Sequence, residues 1–246
     1  MSVRVRILQD AAAVAQAAAD TLAGAVGADA EIVLALPTGR TPIPLYDELA
    51  RRHAARAIDL SRARGFNLDE LALPRNDPRT FRAFMERYAW GRTGLSRERC
   101  HIPDGSAASL DAECRRYEEA ITAAGGLDLA LLGVGIDGHI GYNMPGPLRL
   151  PTHVTRLPDG LAASLGVPPE DWPLRAITMG IGTLRSARRI LVLATGETKA
   201  TAVRLLVHGP EDPQWPCSFL AGHDDVDLFA DPGAARSLDG RGSELM

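Results

Sequence analysis

Asp137 and His139 stand two residues apart in the run Gly133-Val134-Gly135-Ile136-Asp137-Gly138-His139-Ile140-Gly141-Tyr142-Asn143. A carboxylate at that spacing can fix the tautomer of an imidazole, an arrangement suited to moving protons. The glycines around the pair permit tight turns and close approach of a ligand, and Gly135 is the expected point of approach. A second acidic site lies in Gly65-Phe66-Asn67-Leu68-Asp69-Glu70. On an extended backbone successive side chains point to opposite faces, so one of the two carboxylates should meet a substrate directly. Asp69 is the expected base for a proton on a carbon next to a carbonyl, with Glu70 an expected substrate contact.

Two further segments suit an anion. Pro37-Thr38-Gly39-Arg40-Thr41-Pro42 leads toward a helix start and offers backbone N–H groups and the hydroxyls of Thr38 and Thr41. It is not a Walker loop, because GxxxxGK[ST] is absent. Lys199, in Thr195-Gly196-Glu197-Thr198-Lys199, is the only lysine of the chain, against 27 Lys plus Arg in all. A lysine retained where arginine is otherwise used points to a need for a compact ammonium, here at an anion-friendly helix start. GVGIDG matches GxGxxG by letter, but Gly141, Pro145 and Gly146 argue against a long helix there. No acid-ended strand follows about 20 residues later, so a dinucleotide site is set aside. No further ligands have zinc spacing near His139, and neither a metal nor a cofactor is expected.

These motifs need elements to hold them. Helical patterns run over 10–26, 43–56, 77–90, 108–124 and 197–209; short apolar runs at 31–36, 65–68, 127–134, 176–182, 189–195 and 225–230 read as strands. Apolar strands separated by helices indicate a parallel sheet covered on both faces. The expectation is an α/β chain: a single three-layer α/β/α domain over 1–246 with a mostly parallel, doubly wound sheet. In such sheets ligands sit outside the carboxyl ends of the strands. The loops after 31–36, 65–68, 127–134 and 189–195, which hold all four motifs, should therefore converge. The proline-rich stretch 144–173 reads as a long excursion, a lid or part of the site wall.

Bulk properties narrow the partners. A net charge of −4 gives no general attraction for nucleic acid. Cys100, Cys114 and Cys217 are widely separated and form no CxxC pair, so no disulfide framework is suggested. Gln9, Asp10, Gln16 and Asp20 interrupt the apolar N-terminal run, which therefore reads as a surface helix of a cytoplasmic protein with no membrane partner.

PTGRTP, FNLDE, GVGIDGHIGYN, ITMGIGTL and GETKA together, in order from about residue 30 to about 235, resemble the glucosamine-6-phosphate deaminase branch of the family shared with 6-phosphogluconolactonase. FNLDE, Phe84-Met85 and DGHIGYN favour the deaminase branch. The resemblance implies metal-independent conversion of glucosamine 6-phosphate and water to fructose 6-phosphate and ammonia. It implies that His139, supported by Asp137, helps open the sugar ring and that Asp69 shuttles a proton between C2 and C1. It implies further that Gly39, Arg40, Thr41 and Lys199 bind the phosphate, and that the chain forms a homo-oligomer, as such deaminases often do. Two positions depart from the family pattern. Met144 stands where the family has the glutamate of FNEPG, and LAASLG (161–166) lacks the family's phosphate-binding arginine. Arg40 is the expected replacement for that charge. Two other readings compete with the deaminase: a sugar-phosphate lactonase in which His139 activates water, and a catalytically weakened sugar-phosphate-binding protein, which Met144 and the missing arginine motivate.

Overall fold

The computed structural model describes residues 3–238. In chain order the elements are β1 (Arg4–Ile7), α1 (Ala11–Ala28), β2 (Val33–Leu36), α2 (Ile43–Ala54), β3 (Arg64–Asn67), β4 (Asp69–Leu71), α3 (Phe81–Tyr88), β5 (Cys100–His101) and α4 (Leu110–Ala123). They continue with β6 (Leu129–Gly133), β7 (His153–Arg156), α5 (Asp159–Ser164), β8 (Arg175–Thr178), α6 (Ile181–Arg185), β9 (Arg189–Ala194), α7 (Ala200–His208), β10 (Val226–Ala230) and α8 (Pro232–Ala235).

Seven strands form one parallel sheet in the order β1-β10-β9-β6-β2-β3-β5. Alternate side chains explain why its strands are apolar throughout. Leu34 and Leu36 of β2, Leu129 and Leu131 of β6, and Leu191 and Leu193 of β9 pack on the layer containing α1, α2 and α3. Val33 and Ala35, Ala130 and Leu132, and Ile190 and Val192 pack on the opposite layer, with Tyr117 of α4 and Ala202, Val203 and Leu206 of α7. With both faces covered, a period of two conveys no polar side and the strands read as continuous runs. The result is the three-layer α/β/α arrangement. The N-terminal helix α1 is long and apolar enough by length and composition to pass for a membrane span, yet it lays Val14, Ala18, Leu22 and Val26 into the first layer of the core.

From β2 the chain winds outward through β3 to β5; from β6 it winds the other way through β9 to β10. The winding direction reverses between the neighbours β2 and β6, and a crevice is expected outside their carboxyl ends.

Two findings differ from the sequence reading. The run 176–182 is not a strand of the parallel sheet. Its first part is β8, the centre of a separate antiparallel sheet of order β4-β8-β7, and α6 begins at Ile181. Ala176 and Ile177 are buried, so an apolar run looks the same in either sheet. The excursion 144–173 contributes β7 to this second sheet and α5 beyond it. Finally, β1 and β5 had no sequence signal: β1 is a mostly exposed edge strand and β5 has two residues.

A single residue joins the two sheets. Leu68 donates its amide to Leu36 O in the large sheet at 3.1 Å, and its carbonyl accepts from Met179 N, just past β8, at 2.7 Å.

Candidate active site

The loops after β2, β3, β6 and β9 meet over the β2/β6 crevice as expected and enclose a cavity of about 250 Å³. Pro37–Pro42 form one wall, Leu68 and Asp69 the next, and Gly133–Gly135, His139, Gly141 and Tyr142 a third; Lys199, Phe81, Leu161 and Leu165 complete it.

The loop 37–42 is shaped for an anion. Gly39 has φ +92°, where an L side chain would be strained. The amides of Gly39, Arg40 and Thr41 have no acceptor among the described residues. Tyr46 of α2 holds the loop from beneath, donating its hydroxyl to Pro37 O at 2.7 Å. Arg40 is exposed at the cavity edge and forms no ion pair among the described residues. Lys199 ends a short 3₁₀ turn, Glu197–Lys199, directly before α7. Asp231 anchors this turn by accepting the Gly196 amide at 2.9 and 3.0 Å while capping α8 through Ala234 N. Burial pulls the Lys199 ammonium below its ordinary pKa, and the charge of Asp137 acts against that pull.

His139 lines the same cavity and is paired with Asp137. His139 Nδ1 lies 2.6 Å from Asp137 Oδ1, so the two form an oriented pair. The carboxylate does not line the cavity itself; it holds the ring that does. Burial would raise Asp137, but the hydrogen bond and charge of His139 bring it below the usual carboxylate range. Gly135 makes room for the imidazole: a Cβ there would come within 2.2 Å of His139 Nδ1. The Gly135 amide also donates to His139 O at 2.8 Å, closing the turn. The loop is fixed further on, where Asn143 Nδ2 donates to Ile140 O at 2.8 Å and to Met179 O at 2.7 Å. Tyr142 N donates to Thr178 Oγ1 at 3.0 Å.

Asp69 is the first residue of β4, paired with Thr178 of β8. It is buried and its Oδ1 has no hydrogen-bond partner among the described residues. Burial, with the adjacent Glu70 carboxylate adding to it and the Thr38 hydroxyl opposing, pushes Asp69 up to about 8. A carboxyl group with that pKa is poised to exchange a proton near neutral pH. Gly141 lies close by; a Cβ there would be 3.4 Å from Asp69 Oδ2.

Glu70 corrects the sequence reading. It is not a wall of the cavity. Its carboxylate turns to the other face of β4 and accepts from Leu71 N at 2.8 Å, Phe81 N at 2.7 Å and Arg82 N at 2.9 Å. The alternation of a strand forces this, and the free amides at the start of α3 take what the cavity does not. Thr38, Gly39, Arg40, Thr41, Gly135, Asp69, His139 and Lys199 do come together. Leu161 and Leu165 were missed, because leucines on a short helix read as core; they occupy the LAASLG stretch. Met144 packs against the apolar core beside Tyr142 and does not line the cavity.

A crevice at the switch point of a doubly wound sheet, lined by Arg40, Lys199, His139 and Asp69, marks an α/β/α fold with a polar cavity where such folds bind their ligands. The chain belongs to the Glucosamine-6-phosphate isomerases/6-phosphogluconolactonase family, which it matches over residues 9–228. It is 40% identical over 239 residues to a glucosamine-6-phosphate deaminase of Arthrobacter sp. (strain FB24), covering 95% of this chain and 92% of the relative. It is 43% identical over 214 residues to one from Rhodopirellula baltica, covering 85% of each. Among solved structures it resembles a monomeric glucosamine-6-phosphate deaminase with TM-score 0.89 and 36% identity, over 95% of this chain and 99% of that one. A 6-phosphogluconolactonase from Leishmania guyanensis shares the fold at TM-score 0.78 and 21% identity, over 98% of this chain and 100% of that one.

Proposed function

We propose that the protein converts glucosamine 6-phosphate and water to fructose 6-phosphate and ammonia. The observation that carries this reading is the placement of Asp69. Asp69, a buried carboxyl group with a pKa of about 8 and one oxygen without a partner among the described residues, lines the same small cavity as His139 and Lys199. The relatives named as deaminases support the choice of substrate.

In this reading the free amides of Gly39, Arg40 and Thr41, the Arg40 guanidinium and the Lys199 ammonium hold the phosphate. Anchoring that remote anion sets the reacting carbons against their base. His139, kept in one orientation by Asp137, moves the proton between the ring oxygen and the C1 hydroxyl as the ring opens. Asp69 then takes the proton from C2 of the open-chain aldehyde and returns it to C1, while O1 gains a proton and the C2 ammonium gives one up. This leaves C2 as an iminium; water adds there and ammonia leaves, giving the ketone. No electrons are gained or lost overall, so the chain needs no redox group. Met144 contributes no proton, and the ring-opening chemistry rests on the His139–Asp137 pair. Leu161 and Leu165 supply apolar contact where the family pattern has an arginine, so the cationic share of phosphate binding falls to Arg40 and Lys199.

The test is turnover of glucosamine 6-phosphate, with ammonia and fructose 6-phosphate both measured. Activity lost in Asp69→Asn and in His139→Gln supports the reading. Absence of ammonia from the parent, together with acid release from a phosphogluconolactone, would replace it with lactone hydrolysis.

A further inference from the structure

A second, larger cavity of about 660 Å³ lies at the β5 edge of the sheet, apart from the crevice. Arg75, Arg82, Arg97 and Arg116 line it, together with His101 and the acids Glu98, Asp104 and Glu113. The acids are already engaged. Glu113 accepts from Nε and Nη2 of Arg116, each at 2.6 Å, and from Asp104 N at 2.8 Å. Asp104 accepts from Ser106 N at 3.0 Å and from Ser106 Oγ at 2.6 Å, and Glu98 accepts from Ser96 Oγ. Arg97 reaches outward to Glu86 at 2.9 Å.

Arg75 and Arg82, by contrast, form no ion pair among the described residues. Arg82 is half-buried; burial and the like charges of Arg75 and Arg97 weigh against its cation, and Glu70 and Glu86 partly offset them. Arg75 and Arg82 thus present two guanidiniums without a direct carboxylate contact, and an incoming anion would supply one. They are also held in place. The guanidinium carbons of Arg82 and Arg97 stand 5.8 and 5.9 Å from the centre of the Trp90 ring, so one aromatic side chain contacts both forks.

We infer that this cavity is a second ligand site that takes a phosphate-bearing small molecule, gripped by Arg75 and Arg82 with Arg97 at its side. Planar guanidiniums match phosphate oxygens in pairs, and the volume falls within the range of small-molecule sites. The site shares no lining residue with the crevice. It still lies near Asp69 through two links, because Arg82 N donates to Glu70 and Glu70 adjoins Asp69 in β4.

The experiment is a calorimetric titration of the intact protein with inorganic pyrophosphate in a Lys199→Ala background, which weakens anion binding in the crevice. The expected result is saturable binding of one pyrophosphate per chain. Arg75→Ala and Arg82→Gln should each weaken it about tenfold, roughly the loss of one charge-assisted contact. Arg75 is exposed, so its substitution leaves the fold intact, and a thermal melt checks Arg82→Gln. No saturable heat at millimolar pyrophosphate, or an affinity that neither substitution changes, would overturn the inference. Neither result depends on the reaction at the crevice.

Discussion

The imidazole of His139 occupies the space that any side chain at Gly135 would need, with Nδ1 only 2.2 Å from the position of a Cβ on that residue. The glycine nearest the ring therefore sets where the ring can sit, and the Asp137 hydrogen bond at 2.6 Å sets how it is turned.

Gly135→Ala should displace the imidazole without unfolding the chain. Turnover is expected to fall about a hundredfold, the usual scale for losing a positioned acid–base group. Far-ultraviolet circular dichroism should be unchanged. Full activity in this variant would mean that the ring has another resting place and that the close contact is incidental.

The pH dependence follows from Asp69. As the base at C2 it must be ionised in the free enzyme, so kcat/KM should rise with pH and level off above about 8, the value to which burial and Glu70 push it. Asp69→Asn should lose turnover at every pH. A parent profile already flat from about pH 5 to about pH 9, a window above the ordinary carboxylate value of about 4 and spanning the raised one, would remove Asp69 from that role.

The same shift predicts a stability trend. Asp69 holds its proton more tightly folded than unfolded, because its pKa rises from 3.8 to about 8 on burial. The stability associated with the neutral acid is complete below the unfolded value and is lost as pH rises through the folded one. The parent should therefore lose Tm relative to Asp69→Asn between about pH 4 and pH 8. Parallel Tm curves for the two proteins would contradict the raised value.

Glu70→Gln separates capping from charge. An amide oxygen can still accept from Phe81 N or Arg82 N but without a full charge, so a loss of about 1.5 to 3 kcal/mol is expected in denaturant unfolding. Removing the negative neighbour should also move the rising limb of kcat/KM to lower pH, since Glu70 is one of the causes that raise Asp69. A destabilised variant with an unmoved limb would show that burial alone sets Asp69.

Arg40→Ala should raise KM for the sugar phosphate about tenfold while changing kcat less, as expected when a contact to the non-reacting phosphate is lost. Lys199→Ala should behave alike. An unchanged KM in Arg40→Ala would return Arg40 to the solvent.

Much of this arrangement was legible from residue types. The apolar runs at 31–36, 127–134 and 189–195 located three central strands, and the rule for open parallel sheets brought their loops together. What escaped was the second sheet. The apolar run at 176–182 contains no residue that distinguishes a strand of the large sheet from one that pairs antiparallel with β4 and β7. Strand alternation allowed only one of Asp69 and Glu70 to face the cavity, yet Glu70 was also expected at the substrate; only the backbone shows that α3 starts where Glu70 points. Leu161 and Leu165 reach the cavity from a six-residue helix and the residue that caps it, where side-chain type records burial and nothing about which neighbour is buried against.

Leu68 serves as a splice, with its amide in one sheet and its carbonyl bonded beside the other. The consequence is one of tolerance to change in chain length. Most loops in such a fold can lengthen at small entropic cost, but between Asn67 and Asp69 there is no slack to lengthen. Inserting or removing one residue would exchange the faces of the next two, turning Glu70 toward the cavity and Asp69 toward α3. The carboxylate at the heart of the site is thus indexed by counting residues across the joint.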